Sequence, residues 1–551
     1  MIDTFKQKIK SDLEKKYSDI TFVVESPKRG HADLAIPLFG LAKIWKKSPM
    51  VIFDTIKNDL VYDEIEKVEF INGFLNIFLK REIYASKVLD ELQDFKSLDD
   101  QKQTIVIDYS SPNIAKKFSV GHLRSTMIGH ALKNIYEKAG YHVVGVNHLG
   151  DWGTQFGKMI VAYERLEEPL DLTVDPIRKL QDLYVGFHED AKKNPALEDE
   201  ARRVFMALEK GDEKYLKLWE QFRSLSIKEF MDMYETLNVS FDAYEGEAFY
   251  NDKMDAVVQE LEDKGLLKID DGATIVDLGE ELPPALIKRS DGATLYLTRD
   301  LAALKYRYEH YHANKVLYVV GNEQQLHFKQ LRKVAKLLGW PVELEHVNFG
   351  LVLLDGKKMS TRGGKTKTLE EVIHQAISDA KDAIISKNPT LEHKDQVAKA
   401  VGVGAIVFND LKNERHLNVD FNLANMLKFE GQTGPYLQYS SVRIESIIKD
   451  KSIDKSIVDA SIYSEDAYFE TIKQLDLFKS MISRAVTQNS PSVIAKYALS
   501  LAQSFNSFYG KQRVIVDDKV RLNSNLYFIK TIQVVINECL SLIGIKTLKE
   551  M

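Results

Sequence analysis

The short β-branched run Thr104-Ile-Val-Ile-Asp-Tyr is followed by a loop holding Ser111-Pro112-Asn113, a helical pattern from about Gly121 to Ala139, the helix stop Gly140 and a second apolar run, His142 to Val146. Two strands joined through a helix of that length pair in parallel, because a hairpin turn cannot contain it and the helix must pack back onto the sheet. A parallel sheet needs cover on both faces, so further crossover units must follow. One does: Lys315-Val-Leu-Tyr-Val-Val-Gly reads as a strand, and a helical pattern from about Glu323 to Leu338 ends at Gly339.

These units predict an α/β, Rossmann-type parallel-sheet domain over residues 101–367, with insertions. The stretch from roughly 160 to 280 is largely helical and supplies most of them. Leu286 to Ser290 and Ala293 to Leu297 flank Asp291-Gly292, a pattern that predicts a hairpin. Residues 1–100 read as a separate α+β domain: a helix carrying Phe5, Ile9 and Leu13, a strand from Ile20 to Glu25, a turn over 26–31, a helical stretch to Lys47 and the apolar segment Val68 to Leu79. A connecting helical region spans 368–399. From 400 to 551 the pattern is that of a helical bundle, clearest where Ser490 as N-cap and Pro491 open a helix with Ile494, Tyr497, Leu501, Phe505 and Tyr509 on one face. A chain of 551 residues has room for these several cores.

The formal net charge of −6 would argue against a nucleic-acid partner only if charge were evenly spread, and it is not. Residues 190–280 hold 12 Lys and Arg against 23 Asp and Glu, whereas 301–340 hold 7 basic against 2 acidic residues and 350–367 hold 5 against 1. A basic stripe of that kind binds phosphates whatever the far side carries. The single cysteine, Cys539, allows no internal disulfide, and there is no Cys cluster of the kind that holds structural zinc, so no protein metal site is expected. The first residues interleave charged and apolar side chains, unlike a signal peptide, and no apolar run of about eighteen residues occurs. The expectation is a soluble protein of the cytoplasm with no membrane partner.

Two segments carry residues suited to phosphate chemistry. Ser111-Pro-Asn-Ile-Ala-Lys-Lys-Phe-Ser-Val-Gly-His-Leu-Arg-Ser-Thr126 lies between the first strand and its helix, where an open parallel sheet places its ligands. Gly121 permits close backbone approach, the helix start offers free N–H groups, His122 can donate to a phosphoryl oxygen, and Lys116, Lys117 and Arg124 add positive charge. The second segment, Leu354-Asp-Gly-Lys-Lys-Met-Ser-Thr-Arg-Gly-Gly-Lys365, is rich in Gly and Lys. Its Lys357, Lys358, Arg362 and Lys365 can close over a polyphosphate and neutralise charge developing on it. Alone, each segment also reads as an ordinary basic loop.

Together they resemble the paired signatures of the class I aminoacyl-tRNA synthetases, usually written HIGH and KMSKS. Ser111-Pro-Asn-Ile-Ala-Lys, Gly-His-Leu-Arg-Ser-Thr and Met359-Ser-Thr-Arg-Gly-Gly364 resemble the arginyl-tRNA synthetases in particular. The resemblance covers essentially the whole chain. Residues 1–100 are similar to that family's N-terminal additional tRNA-binding domain, with Gly73-Phe-Leu-Asn76 matching its Gly-Phe-x-Asn stretch. Residues 400–551 are similar to its anticodon-binding domain, with Gly434-Pro-Tyr-Leu-Gln-Tyr439 and Phe505-Asn-Ser-Phe-Tyr509.

The resemblance implies an arginine-tRNA ligase that activates L-arginine with ATP and transfers it to the 3′ terminal adenosine of tRNA(Arg). It implies that Mg2+ arrives with ATP and has no dedicated protein site, that activation itself requires bound tRNA, and that the protein works as a monomer. It assigns His122 and Lys358 to the phosphoryl charge, with Lys116 and the Ser119 hydroxyl as stand-ins where the first imidazole is absent and its contribution otherwise lost, and Gly121, His122, Gln324, Lys358, Met359 and Ser360 to ATP. Asn113, His148, Glu247, Tyr296, Asp300 and Gln324 fall to arginine, and Phe74, Asn76, Tyr436, Phe505 and Tyr509 to tRNA. Glu247 and Asp300 would pair with the guanidinium, whose planar fork matches a carboxylate, while Tyr296 borders it and Asn113 holds the amino and carboxyl end.

Without the resemblance, Asp300 reads equally well as the N-cap of a helix Leu301 to Tyr308, Glu247 as a solvated acid, Phe505 and Tyr509 as bundle core and Asp151 as loop scaffold; His327, beside the run Gly321 to Gln324 that the resemblance assigns to adenosine, reads as structural or as a further contact there. Two positions depart from the family pattern: Ser119 replaces the first His of HIGH, and Thr361 the second Lys of KMSKS, one place before Arg362. Lys358 then remains the principal phosphate contact, and Lys116 is placed to supply the missing cation. Two rival classes are another nucleotidylyl-transferring enzyme of the same fold, which would not need the bundle, and an inactive RNA-binding relative, which would have lost Gly121-His122 and Lys358-Met-Ser.

Overall fold

The central sheet has the strand order β5-β4-β1-β2-β3, all neighbours parallel, built from β1 (Thr104–Asp108), β2 (His142–Asn147), β3 (Ala243–Tyr244), β4 (Lys315–Tyr318) and β5 (Glu343–His346). Val106 of β1 lies opposite Val144 on one side and Val316 on the other, and all three are buried, as strands covered on both faces require. The crossovers are α1 (Val120–Lys138) between β1 and β2, α2 (Tyr296–His310) before β4 and α3 (Gln325–Leu338) between β4 and β5. Chain order runs outward from β1 through β2 on one side and through β4 on the other. The carboxyl ends of β1 and β4 therefore flank a switch point, where an open sheet leaves a crevice.

The structure, a computed structural model, describes residues 1–27, 32–168, 170–290, 295–354, 356–358 and 368–551. It divides into two units: Met1–Lys96, Ser440–Ser483 and Tyr497–Glu538 in one, and Ser97–Tyr439, Arg484–Lys496 and Cys539–Met551, with the parallel sheet, in the other. The mixed architecture is the expected one, a parallel α/β sheet with an N-terminal α+β region and a C-terminal helical bundle.

One expected hairpin is replaced. Ala285–Lys288 pairs with Ala273–Val276, which pairs in turn with Leu267–Asp270, and Tyr296 opens α2 instead of lying on a strand. Asp291-Gly292 lies outside the described residues. Leu297, Leu301 and Leu304 recur at helical spacing and are all buried, so the 3.6-residue period overrides the alternation that suggested a strand. Asp300 consequently sits inside α2, with Leu295 and not Asp300 as its N-cap.

In the other unit, the helix Ile2–Lys16 buries Phe5, Ile9 and Leu13 as its spacing predicts. A three-stranded antiparallel sheet places Phe74–Leu79 between Leu34–Pro37 and Ile65–Ile71, with a tight turn at Asn72-Gly73, both at positive φ. The expected strand from Ile20 to Glu25 is reduced to a bridge between Glu25 and Ala35: Ile20 and Phe22 are buried, but the Ile20 N–H donates to the Tyr17 carbonyl and the Phe22 N–H to Glu14 Oε1 instead of to a strand. The expected helical stretch to Lys47 begins with the strand Leu34–Pro37 and becomes helical only over Phe39–Trp45. The helix Arg81–Gln93 shares this unit with bundle helix Asp466–Asp476, the Tyr84 hydroxyl donating to Asp476 Oδ2 at 2.8 Å. Bundle helix Ser492–Lys511 buries Tyr497, Leu501 and Phe505. No described helix is long and apolar enough to cross a membrane.

Candidate active site

A cleft of about 680 Å³ opens at the carboxyl ends of β1 and β4. Asn113, Ser119, Gly121, His122, His148, Glu247, Tyr296, Asp300 and Gln324 all line it, so the arginine set and the helix-start residues share one space. Lys116 is outside the lining, exposed, with its ammonium 6.0 Å from the Tyr184 ring. Of the Lys-Met-Ser segment, only the backbone of Lys357–Lys358 is described, paired antiparallel with Leu353 and Leu354. The Lys358 side chain, Met359, Ser360, Thr361, Arg362 and Lys365 lie outside the described residues.

Ser119, the residue that departs from the signature, caps α1. Its backbone N–H donates to His122 Nδ1 at 3.1 Å, and its Oγ lies 3.2 Å from the same nitrogen. Burial, reinforced by the Lys116 charge, pushes the imidazole down to about 4. His122 is thus neutral at physiological pH, and because Nδ1 accepts, Nε2 carries the proton and is the donor. A Cβ on the exposed Gly121 would meet nothing closer than Ser119 Oγ at 3.5 Å. The fold itself does not require glycine there, which leaves the requirement to whatever lies over the helix start.

The loop between β1 and α1 holds Ser110, Ser111 and Ala115 in the left-handed region, which costs a non-glycine residue about 1 kcal/mol or more. The acid-rich insertion compensates. Its helix Glu213–Leu237 sends Ser226 Oγ to accept the Ala115 N–H at 3.0 Å, and the Tyr234 hydroxyl meets Ser110 Oγ at 2.8 Å. From the same helix, Trp219 Nε1 donates to the Asp151 carbonyl and Arg223 Nε to Asp151 Oδ2, while Asp151 Oδ1 accepts the Ala248 N–H. Asp151 is therefore scaffold that ties the segment after β2 to the Glu247 segment. Asn113 bridges in parallel to Gly150, where a Cβ would fall 2.4 Å from Asn113 Oδ1.

The two acids expected to meet a guanidinium differ electrostatically. Burial pushes Glu247 up to about 7, opposed by Arg299, whose Nη1 is 3.8 Å from Oε2, and assisted by Asp300 and Asp151. Burial would also raise Asp300, but a 2.5 Å hydrogen bond from His327 Nε2 to Oδ2, with His327, His148 and Arg307 charge nearby, holds it below the usual carboxylate range. Tyr296, at the start of α2, is 64% exposed beside them. His148 stacks on Tyr250 with ring centroids 5.4 Å apart, and its buried Nδ1 has no hydrogen-bond partner among the described residues.

Other expected cations are engaged elsewhere. Arg124 is a buried structural residue and not a phosphate contact: Nε meets Asp410 Oδ1 at 2.8 Å, and Nη1 donates to the Gly350 and Leu417 carbonyls. Lys117 pairs with Asp175 at 3.6 Å. A second buried pair, Arg307 Nη2 with Asp108 Oδ2 at 2.8 Å, was not anticipated. Its signal was present, since Arg307 follows Leu297, Leu301 and Leu304 on the inward face of α2. Arg299 and His327 as partners of the two acids carried no such signal, because neither pair is adjacent in sequence.

Among the expected tRNA residues, Phe74 and Asn76 are half-buried on their strand, Phe74 edge-on to Phe39, which is 55% exposed. Tyr436 is half-buried in the helix Gly434–Ile448. Phe505 is corrected to a core residue, 0% exposed, because its position on the helix faces the bundle interior, whereas Tyr509 is 40% exposed.

Three family models match. Residues 85–423 match the catalytic domain of class I (R) tRNA synthetases, 437–551 the DALR anticodon binding domain and 3–79 the arginyl tRNA synthetase N terminal domain. An arginine-tRNA ligase of Exiguobacterium sibiricum is 49% identical over 541 residues, covering 97% of this chain and 96% of that protein. One from Pediococcus pentosaceus is 47% identical over 537 residues, covering 96% and 95%. Among solved structures, Thermus thermophilus arginyl-tRNA synthetase superposes with a TM-score of 0.86 at 24% identity over all of both chains. That of Plasmodium falciparum gives 0.81 at 25% identity, over 100% of this chain and 99% of the other. A catalytic-domain match over more than half its length, with relatives nearly half identical end to end, shows that the chain belongs to the arginyl-tRNA synthetase family.

Proposed function

We propose that the cleft between β1 and β4 is where arginine and ATP react, the chain acting as a cytoplasmic monomer. The enzyme is an arginine-tRNA ligase. The arginine carboxylate attacks the α-phosphorus of ATP and expels pyrophosphate; a ribose hydroxyl of the tRNA's terminal adenosine then attacks the carbonyl of the mixed anhydride and expels AMP. No protein nucleophile takes part, so the chain's work is positioning and charge stabilisation.

The observation that carries this is the convergence of Glu247, Asp300 and Tyr296 with the neutral donor His122 on one cleft. The two acids take the guanidinium fork, Asn113 and Gln324 the amino acid's other end, and His122 Nε2–H a phosphoryl oxygen. The backbone N–H of Ser119 fixes the His122 tautomer, and its hydroxyl adds a second polar group beside Nδ1 where the signature usually has an imidazole. Lysine has no planar fork and glutamine no charge, and either leaves a carboxylate imperfectly paired. Mg2+ would arrive with ATP and would supply charge neutralisation at the pyrophosphate. Arg-specific charging tests the proposal: tRNA(Arg) should accept labelled arginine but neither lysine nor glutamine, and absence of arginylation overturns it.

A further inference from the structure

Asp300 and His327 come from different helices, α2 and α3, and meet in the lining of the cleft. Their contact is the tightest polar one on that wall: His327 Nε2 lies 2.5 Å from Asp300 Oδ2. A carboxylate oxygen can only accept here, so Nε2 carries the ring proton. That bond fixes the plane of the Asp300 carboxylate and leaves Oδ1 and the second lone pair of Oδ2 to a ligand's guanidinium. Glu247 is held differently, by the Trp152 backbone N–H and by Arg299, whose Nη1 stands 3.8 Å from Oε2.

We propose that His327 is a positioning residue for amino-acid selection: its Nε2–H locks the plane of the Asp300 carboxylate, so that its remaining acceptor positions are presented in one plane to the planar guanidinium. The proposal rests on Asp300 being an arginine ligand. A carboxylate free to rotate would serve a point-charge ammonium almost as well as a planar cation, whereas a locked one rewards only a donor set in its own plane. His327 touches no reacting atom in this scheme. Its effect belongs to arginine binding and to discrimination, not to the chemical step.

The test uses the full-length enzyme with tRNA(Arg) and compares His327→Gln, which retains an N–H donor, with His327→Phe, which keeps the ring volume and removes the donor. Asp300→Asn is measured alongside. For His327→Phe, the KM for arginine is expected to rise about tenfold or more, the scale of a hydrogen bond to a charged group, with kcat and the KM for ATP within about twofold. The preference for arginine over lysine should narrow by a similar factor. His327→Gln should recover most of both losses. Equal effects in the Gln and Phe variants, or a fall in kcat and ATP affinity matching that in arginine affinity, would make His327 merely structural and overturn the proposal. An unchanged arginine KM in Asp300→Asn would instead remove the assignment of Asp300 on which it rests.

Discussion

Arg299 Nη1 stands 3.8 Å from Glu247 Oε2, yet burial still holds that carboxyl up at about 7. The internal guanidinium is too distant to offset desolvation, so the acid remains only partly ionised until a better-placed cation arrives. Arginine pairs with the carboxylate form, so kcat/KM for arginine should rise with pH up to about 7 and level off above it. Below that pH, binding must first remove the proton. Arg299→Leu should move the limb to higher pH, because Arg299 lowers the Glu247 pKa. Glu247→Gln should abolish the limb and weaken arginine about 10- to 100-fold while sparing ATP. Initial rates at saturating ATP across pH 5.5 to 8.5, a span set by the value near 7, check all three.

His122 is held neutral by burial, with its imidazole at about 4. At saturating arginine, kcat should show no limb near the ordinary histidine range. His122→Ala should cost about 100-fold or more in kcat with small changes in either KM, as expected for loss of one preorganised donor. Ser119→Ala keeps the backbone N–H to Nδ1, so it should cost much less in kcat and about 1 kcal/mol in stability. Single-turnover rates and thermal melts separate the two effects.

Gly150 lies where a Cβ would come within 2.4 Å of Asn113 Oδ1. The encroached atom is the end of a side chain, so the fold should yield cheaply while Asn113 is displaced from its place in the cleft. Gly150→Ala should therefore raise the KM for arginine with little change in Tm. Equilibrium arginine binding and a melt on the same preparation test this.

The Arg124–Asp410 pair is buried at both ends, with side-chain exposures of 1% and 0%. Removing one partner of such a pair strands a charge, so Asp410→Ala should destabilise the protein by about 3–5 kcal/mol. Lys117→Ala, which removes a partly exposed pair, should cost no more than about 1 kcal/mol. Urea titrations of the two variants compare them directly.

The parallel sheet was legible because β-branched strands, a helical period and a terminating glycine agree over Thr104 to Val146. The signature helix begins at Val120, next to where its pattern predicts. Residues 293–297 misled because Leu-Tyr-Leu alternates like a strand at short range, while the buried Leu297, Leu301 and Leu304 make sense only over a longer window. Arg124 misled for a different reason. Residue type advertises charge but not burial, and Asp410, its partner, is 286 residues away in the chain. The same blindness hides the Asp300–His327 and Glu247–Arg299 pairs, which exist only once α2, α3 and the loop after β3 are folded together. The bundle stripe was legible as a helix face, but its members divide between buried Phe505 and exposed Tyr509, a division set by neighbours and not by period.

The central claim is that this cleft activates arginine, and exchange of labelled pyrophosphate into ATP reports that step directly. With the full-length enzyme, exchange should depend on arginine, should require tRNA(Arg), and should fall in Asp300→Asn and Glu247→Gln. No arginine-dependent exchange, with or without tRNA(Arg), would contradict the account.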